Sequence, residues 1–197
     1  MMEYAGEATM RAGMSALGGE RAGWTAADFE AVFIEHYART VAVIQRLLGD
    51  RAQAEEIASD AFLKLYRQPS DLDRYQNLGG WLYRTASRLG IDALRAANRR
   101  RQRDPEAGER LAEASAAAGP LEDVLRAERV KNVRAALSSL KPAQAQILTL
   151  RASGLSYKEL AEAVGVRSGS VGQRLARAEA AFEKAYRRIE GGLNVRS

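Results

Sequence analysis

Residues 81–103 carry an amphipathic pattern with two unlike faces, and this stretch constrains the fold more than any other. Apolar and small side chains recur every three or four residues, as on the buried face of a helix: Trp81, Leu82, Thr85, Ala86, Leu89, Ala93 and Leu94. At about 100° per residue, Arg84, Arg88 and Arg95 fall within about 40° of one another. The pattern predicts one long helix that packs through one face and presents guanidinium groups on another.

Positive charge is concentrated in two blocks of the sequence. Residues 81–103 hold seven arginines and one aspartate, and residues 129–190 hold twelve basic and five acidic side chains. Residues 104–128, which lie between them, hold two basic and seven acidic side chains. Two separated basic blocks favour two contacts with one long polyanion such as DNA. For the arginines of residues 81–103 taken alone, the alternative explanation is a solvent-exposed helix face with a basic end.

Composition narrows the class of protein. The chain has 197 residues, 46% of them hydrophobic, which suits one medium domain or two small ones. It has no cysteine, which excludes disulfides, thiolate metal sites and a cysteine nucleophile. No apolar run approaches a membrane span, and Glu3, Glu7 and Arg11 interrupt the region where a signal peptide would be apolar. We therefore expect a cytoplasmic protein.

Helical periodicity and breaks divide the chain. Thr25 is a candidate N-cap for a first helix that Gly49 ends, and Asp50 with Gln53 is a candidate cap for a second. The fold class is therefore all-α, with two small helical domains joined by a flexible linker. The predicted division is a flexible N-terminal tail (1–24), a first domain (25–103), a linker rich in alanine, glycine and proline (104–120), a second domain (121–190) and a C-terminal tail (191–197).

Residues 157–175 have the spacing of a helix-turn-helix. A small Ala161 suits the close approach of two helices, Gly165 suits the turn, and Val171 suits the apolar anchor of the second helix. Ser156 with Glu159 is a candidate capping box for the first of these helices, and Ser168 is a candidate N-cap for the second. Its outer, N-terminal side would enter a major groove through these residues: Ser168, Gly169, Ser170, Gly172, Gln173, Arg174 and Arg177. A purely structural three-helix unit is the alternative.

Two further surfaces precede this motif. Tyr75, Gln76 and Asn77 lie in a turn-rich stretch before Trp81, where an aromatic ring and two amides could stack on and hydrogen-bond to unpaired bases. Tyr75 could instead only cover the edge of the core. Glu55, Glu56 and Asp60 form an acidic helix face, which we interpret as a docking surface for a partner, with simple solvation as the alternative.

Signals for an enzyme are weak. His36 is the only histidine, and no second metal ligand follows at the spacing of one helical turn. No glycine-rich phosphate loop follows a strand, because no strand is predicted. We expect no catalytic residues, no metal and no cofactor. A helical hydrolase using Glu55, Glu56, Asp60 and His36 is the rival hypothesis from this class.

Two sets of motifs resemble one known family. The first set is Ala54-Glu55-Glu56-Ile57, Asp60-Ala61-Phe62-Leu63, Gly80-Trp81-Leu82-Tyr83-Arg84-Thr85-Ala86 and Ile91-Asp92-Ala93-Leu94-Arg95. It resembles region 2 of the extracytoplasmic-function (ECF) sigma factors. The second set is Leu140, Pro142, the run from Gly154 to Ala161, Gly165-Val166, Ser170-Val171 and Arg174-Leu175-Ala176-Arg177-Ala178. It resembles their region 4, and the two sets occur in the family's order.

The resemblance implies a promoter-specificity subunit of bacterial RNA polymerase, with regions assigned as follows. Contact with the core polymerase, at the coiled-coil helices of its clamp, is implied for Glu55, Glu56, Ser59, Asp60, Phe62 and Leu63. The flap region of the polymerase is a further implied contact, without assigned residues. Contact with -10 DNA is implied for Arg74, Tyr75, Gln76, Asn77, Trp81, Arg84, Ser87, Arg88 and Arg95. Contact with -35 DNA is implied for the helix-turn-helix residues given above. The implied partners are core RNA polymerase and both duplex and single-stranded promoter DNA, and an anti-sigma factor is left open.

The chain departs from the family pattern at three places. Ser59 stands where many members have glutamine, and Arg88 stands where they commonly have asparagine. Gly172-Gln173 follows Val171 at the place where family members often have a basic residue. In the family these positions contact DNA or polymerase. The promoter sequence that other members recognise is therefore not transferred to this chain. A stand-alone helix-turn-helix regulator, which needs no polymerase, is the alternative function.

Overall fold

The computed structural model describes residues 26–67, 77–103 and 121–193, and these ranges form seven α-helices and one 3₁₀ helix, with no β-strand among them. The elements are α1 (Ala26–Leu48), α2 (Arg51–Arg67), α3 (Leu78–Arg103), α4 (Leu121–Ser139), α5 (Pro142–Ala152), α6 (Tyr157–Val164), the 3₁₀ helix (Ser168–Ser170) and α7 (Val171–Leu193). The predicted all-α class is confirmed. Thr25, the N-terminal tail and the linker 104–120 lie outside the described residues, and α7 extends three residues into the predicted C-terminal tail.

Local signals in the sequence account for several helix ends. Gly49 follows α1 with a φ of +77°, and the main-chain amide of Gln53 donates to Asp50 Oδ1 at 3.2 Å. The predicted end of α1 and the predicted N-cap of α2 are therefore both present. Pro142 begins α5 as expected for a residue without an amide donor. Ser156 and Glu159 form the predicted capping box of α6.

Helix α3 begins three residues before the predicted start at Trp81. The Gly80 amide donates to Asn77 Oδ1 at 2.6 Å, so Asn77 caps a helix whose first turn is Leu78–Gly80. Prediction missed this turn because two adjacent glycines have low helix propensity. Their small size has a packing reason, since a Cβ on Gly79 would lie 2.8 Å from the imidazole of His36.

Helices α1 and α2 pack through an aromatic cluster. The rings of Phe33 and Tyr37 stack with centroids 4.5 Å apart, and Phe62 meets Phe29 and Phe33 edge-on at 6.3 and 5.1 Å. Phe62 is fully buried in this cluster. The ring holds α2 against α1, and the implied contact of Phe62 with a polymerase stays a prediction.

Helix α3 is buried on two sides, which explains why its pattern dominates the sequence. Leu82, Ala86 and Leu94 are buried as predicted, but Ser87 and Ile91 are also buried on a face that the apolar stripe did not include. This second face packs against α4, α5 and α6, so the helices of both predicted domains share an apolar core. For example, Ile91 and Leu94 cluster with Leu140 and Ala145.

The beginning of α4 packs differently from the other helices. Val124, Leu125, Val130 and Val133 recur at helical spacing in the sequence, which predicts this helix, but their side chains are 36 to 42% exposed. The buried side chains of this helix are those of Asn132, Ala136 and Ser138, and Leu140 directly after it is also buried.

In the parts of the chain that the structure describes, every helix is too short or too polar to cross a lipid bilayer.

Candidate nucleic-acid interface

Helix α6, the turn after it and α7 form the predicted helix-turn-helix. Gly165 takes a left-handed conformation with φ of +69°, and the Val166 amide returns to the Ala161 carbonyl at 2.9 Å, which closes the helix end. Ala161 and Val171 are buried, as expected for the contact between the two helices. The three residues that carried the prediction therefore have their predicted places.

The start of the second helix of this motif differs from prediction. Ser168 does not cap α7; it opens the 3₁₀ turn Ser168–Ser170, whose N-cap is Arg167, and α7 begins at Val171. The Ser170 hydroxyl donates to the Arg167 carbonyl at 2.7 Å. The sequence alone does not distinguish a helix start at Ser168 from one at Val171. A serine on either side of Gly169 can form a local hydrogen bond from its side chain to the backbone.

The outer surface of the motif is polar and accessible. Ser168, Gly169, Gln173, Arg174 and Arg177 are exposed, and Ser170 and Gly172 are half-buried. Arg167, Ser170 and Arg174 line an open cleft with the turn at Gly165. Guanidinium and amide groups on the first turns of an exposed helix are suited to base edges and phosphates of a duplex.

The arginine row of α3 is divided between solvent and protein. Arg88 and the arginines from 99 to 103 are exposed, whereas Arg84 and Arg95 are half-buried. Arg84 donates through Nε to the Ala163 carbonyl and through Nη2 to the Glu162 carbonyl at 2.9 Å. Both acceptors belong to the last turn of α6, where helix carbonyls lack an amide partner within the helix.

Other predicted -10 residues also contact the second half of the chain. Arg95 donates to the carbonyls of Ser138 and Leu140 at the end of α4. Ser87 is fully buried and receives a hydrogen bond of 2.9 Å from the side-chain amide of Gln146. Asn77 donates to a carboxylate oxygen of Glu162.

The remaining -10 candidates are placed less completely. Trp81 is half-buried at the start of α3 and packs against the shared core. Arg74, Tyr75 and Gln76 lie outside the described residues. The structure thus brings Asn77, Trp81 and Arg84 together on the first turns of α3.

The predicted docking face of α2 is largely available to a partner. Glu56 and Asp60 are exposed, Ser59 and Leu63 are half-buried, and Glu55 forms an ion pair with Arg51 at 2.8 Å. A groove beside this face runs along α1 and includes Ile34, whose side chain is 69% exposed. The sequence does carry a signal for Ile34, because this isoleucine lies outside the helical spacing of the apolar residues of α1: Phe29, Val32, Phe33, Tyr37, Val41, Ile44 and Leu48.

The only histidine lies in a cluster between α1, α3 and α6. His36 Nδ1 is 3.3 Å from the Tyr83 hydroxyl, and Arg39 lies over the Tyr83 ring and pairs with Glu159 at 3.0 Å. Burial lowers the pKa of His36, and Arg39 lowers it further against the opposing effect of Glu35. Hydrogen bonds from the backbone amide and side chain of Ser156 lower the pKa of Glu159.

Comparison with known proteins identifies the class. Residues 33–100 match the family model of Sigma-70 region 2, and residues 131–182 match that of Sigma-70 region 4. The first match contains α2 and most of α3, and the second contains the helix-turn-helix. The chain belongs to the sigma-70 family of RNA polymerase sigma factors.

Several of its relatives are named as ECF sigma factors. The ECF RNA polymerase sigma factor SigE of Mycolicibacterium smegmatis is 29% identical over 73% of this chain and 55% of its own length. The RNA polymerase sigma-H factor of Pseudomonas aeruginosa is 28% identical over 80% of this chain and 85% of its own. The probable ECF RNA polymerase sigma factor SigI of Mycobacterium tuberculosis is 30% identical over 75% and 52%. The chain thus spans about half the length of two of these relatives.

One solved structure is similar at low identity. It is the sigma factor RpoE in complex with the anti-sigma factor NepR from Bartonella quintana, with 20% identity and a TM-score of 0.44 over 81% of this chain and 97% of that one.

Proposed function

We propose that this chain is a promoter-specificity subunit that binds core RNA polymerase, recognises the -35 and -10 elements and helps to open the DNA. The observation that carries the proposal is the occurrence of both sigma-70 regions in one chain, in the family's order. A stand-alone regulator would need only the helix-turn-helix. The acidic face of α2 and the arginine row of α3 would then have no shared purpose.

The division of labour follows from the chemistry of the two surfaces. The exposed Gln173, Arg174 and Arg177 suit recognition of a closed duplex through a groove. Strand opening requires unstacking, at about a few kcal/mol per base, so it needs cations and ring surfaces that hold the displaced strand. The first turns of α3 offer Trp81 and the arginines for this role. The polymerase, rather than this chain, would perform the catalysis.

Docking to the polymerase is assigned to the surface of α2. Glu56 and Asp60 are exposed carboxylates suited to a basic or polar partner, and Ser59 and Leu63 flank them. Phe62 is omitted because it is buried. A weak polymerase contact and weak DNA contacts on one chain reinforce one another through effective concentration.

Run-off transcription tests the proposal. Purified chain is added to sigma-free bacterial core polymerase with fragmented genomic DNA, and the transcripts are sequenced. Transcripts with defined 5′ ends that require the chain are the expected result. Tight sequence-specific duplex binding without any polymerase-dependent start would establish the regulator instead.

A matched pair of variants sharpens the test at the polymerase contact. Asp60→Lys reverses an exposed charge on the proposed docking face, and Glu179→Lys makes the same change on α7, far along the chain from that face. We expect Asp60→Lys alone to weaken association with core polymerase. Equal effects of the two changes would reject α2 as the docking surface.

A further inference from the structure

The groove between α1 and α2, beside the proposed docking face, has the shape and lining of a helix-binding site. Ile34, Ala38 and Ala42 lie along it, four residues apart on α1, and all three are exposed. Arg51 and Glu55 of α2 form its polar wall. Two alanines beside an isoleucine leave room for the bulkier side chains of another helix. An apolar groove of this kind accepts the apolar face of an amphipathic helix.

The predicted N-terminal tail contains one stretch with the matching pattern. In residues 7–17, Met10, Met14 and Leu17 recur at the spacing of one helix face. Most of the other residues in this stretch are good helix formers, and Gly18 follows at the position of a helix stop. An isolated helix of this length is only marginally stable in water, so it needs a surface that covers its apolar face.

We propose that residues 7–17 occupy this groove as a short helix that runs antiparallel to α1. Eight residues, three of them glycines, connect Leu17 to Ala26, the first residue of α1. Fully extended they reach about 26 Å, whereas Ile34 lies only about 12 Å along α1 from Ala26. With Leu17 beside Ile34, Met10 lies about 10 Å further along the groove. The connection is therefore long enough for the chain to reverse its direction.

The charges on both sides favour this direction and register. Helices α1 and α2 are joined through residues 49–50 and pack as an antiparallel pair, so a helix antiparallel to α1 runs parallel to α2. Glu7 and Arg11 are four residues apart, as are Arg51 and Glu55, which form an ion pair at 2.8 Å. The proposed register places Glu7 beside Arg51 and Arg11 beside Glu55. The reverse direction would bring like charges together, which disfavours it.

The four methionines of the chain provide the measurement, because all of them lie in the first 14 residues. The full chain is labelled with ¹³C at the methionine methyl groups. A nitroxide is attached at Ala42→Cys, an exposed position in a chain without native cysteine. We expect the nitroxide to remove most of the NMR intensity of Met10 and Met14, relative to the chemically reduced label, and less of that of Met1 and Met2. Full intensity at Met10 and Met14 would overturn the proposal.

Two variants of the segment test the role of its apolar face. Met14→Asp places a charge on this face, and Ala12→Asp places the same charge on the opposite side of the helix, about 160° away. We expect Met14→Asp to restore the intensity of Met10 and Ala12→Asp to leave the loss unchanged. Equal behaviour of the two variants would reject docking through the apolar face.

A mixed sample separates this segment from a second copy of the chain. One population carries the nitroxide, and the other carries the labelled methionines. We expect full intensity for Met10 and Met14 in the mixture. Loss of their intensity there would assign the groove to a second copy and overturn the intramolecular contact.

Docking of the segment has a consequence that rests on the proposed function. Glu55 belongs both to the wall of the groove and to the proposed polymerase-docking face, so a docked segment covers one edge of that face. We expect Met14→Asp to strengthen association with core polymerase about threefold, as for a face that is free in about one third of the molecules, and Ala12→Asp to have no effect. Unchanged affinity would overturn this competition. The NMR measurement needs no polymerase, and run-off transcription judges the sigma-factor role separately.

Discussion

The side-chain amide of Gln146 donates hydrogen bonds of 2.9 Å to both the hydroxyl of Ser87 and the main-chain carbonyl of Arg84. Gln146 is on α5 and both acceptors are on α3, 59 and 62 residues away in the sequence. Ser87 is fully buried and Gln146 nearly so, so no solvent replaces these bonds if they are lost. The pair therefore fixes how the two halves of the chain are registered.

Removing the amide tests this contact. We expect Gln146→Ala to lower the free energy of unfolding by about 1 to 3 kcal/mol, because the buried Ser87 hydroxyl loses its donor and a small void opens. Gln45→Ala, at an exposed position of α1, is the control and should change it by less than about 0.5 kcal/mol. Urea denaturation followed by circular dichroism measures both. Equal small effects of the two changes would show that the contact between α3 and α5 at Gln146 does not contribute to stability.

Three glycines separate backbone strain from contact at the helix-turn-helix. Gly154 and Gly165 both have positive φ, but only at Gly165 would a Cβ approach a neighbour, Arg84 Nη2, at 2.9 Å. Gly169 has neither constraint. Replacement by alanine should cost about 1 to 2 kcal/mol at Gly154 from strain. At Gly165 it should cost about 1 kcal/mol more, because Arg84 is displaced from its carbonyls.

Thermal and urea denaturation of the three variants provide the ranking. We expect Gly169→Ala to be within about 0.5 kcal/mol of the parent chain. If Gly154→Ala and Gly165→Ala were equally destabilised, the contact of Arg84 with the end of α6 would be of no energetic consequence.

The single histidine gives a clean pH prediction. Burial lowers the pKa of His36, so the unfolded chain binds its proton more readily than the folded chain. The stability that depends on neutral His36 is therefore fully present above about pH 6.5, the ordinary value, and is lost as the pH falls through the lower folded pKa. NMR titration of the imidazole should give a midpoint below 6.5 in buffer and near 6.5 in urea.

Its charged neighbours act in opposite directions and provide the controls. Arg39→Gln should raise the midpoint, and Glu35→Gln should lower it, because these charges respectively lower and raise the pKa of His36. A midpoint at the ordinary value in the folded chain would contradict the burial of the ring between α1 and α3.

Local chemistry made much of this fold predictable, and tertiary context decided the rest. The Asp50 cap, the Ser156–Glu159 box and the left-handed Gly165 depend on neighbours within a few residues, so the sequence contains them. The partners of Arg84 were beyond prediction, because a guanidinium group fits a phosphate and a helix carbonyl equally well. Ser87 shows the same limit, since a serine gives no sign that a glutamine 59 residues away will bury it.

Arg88 is exposed on α3 between the half-buried Arg84 and Arg95, and it provides a test of strand opening. We expect Arg88→Ala to reduce promoter opening at least about tenfold, as for one charge-assisted hydrogen bond, with little effect on association with core polymerase. Permanganate reactivity of unpaired thymines measures opening, and fluorescence anisotropy measures association. Equal loss of both would mean that Arg88 acts through structure.

Under the proposed function, the exposed face at the start of α7 recognises the upstream duplex. Arg174 is exposed beside the cleft of the turn, so Arg174→Ala should weaken duplex binding by about 1 to 3 kcal/mol and relax selectivity at one base pair if the side chain contacts a base edge. Arg188→Ala removes the same charge from the far part of α7, beyond the motif, and should leave selectivity unchanged. Binding to a library of promoter variants measures both. A uniform loss across all sequences would instead assign Arg174 to a phosphate, because phosphate contacts position a protein on DNA without distinguishing bases.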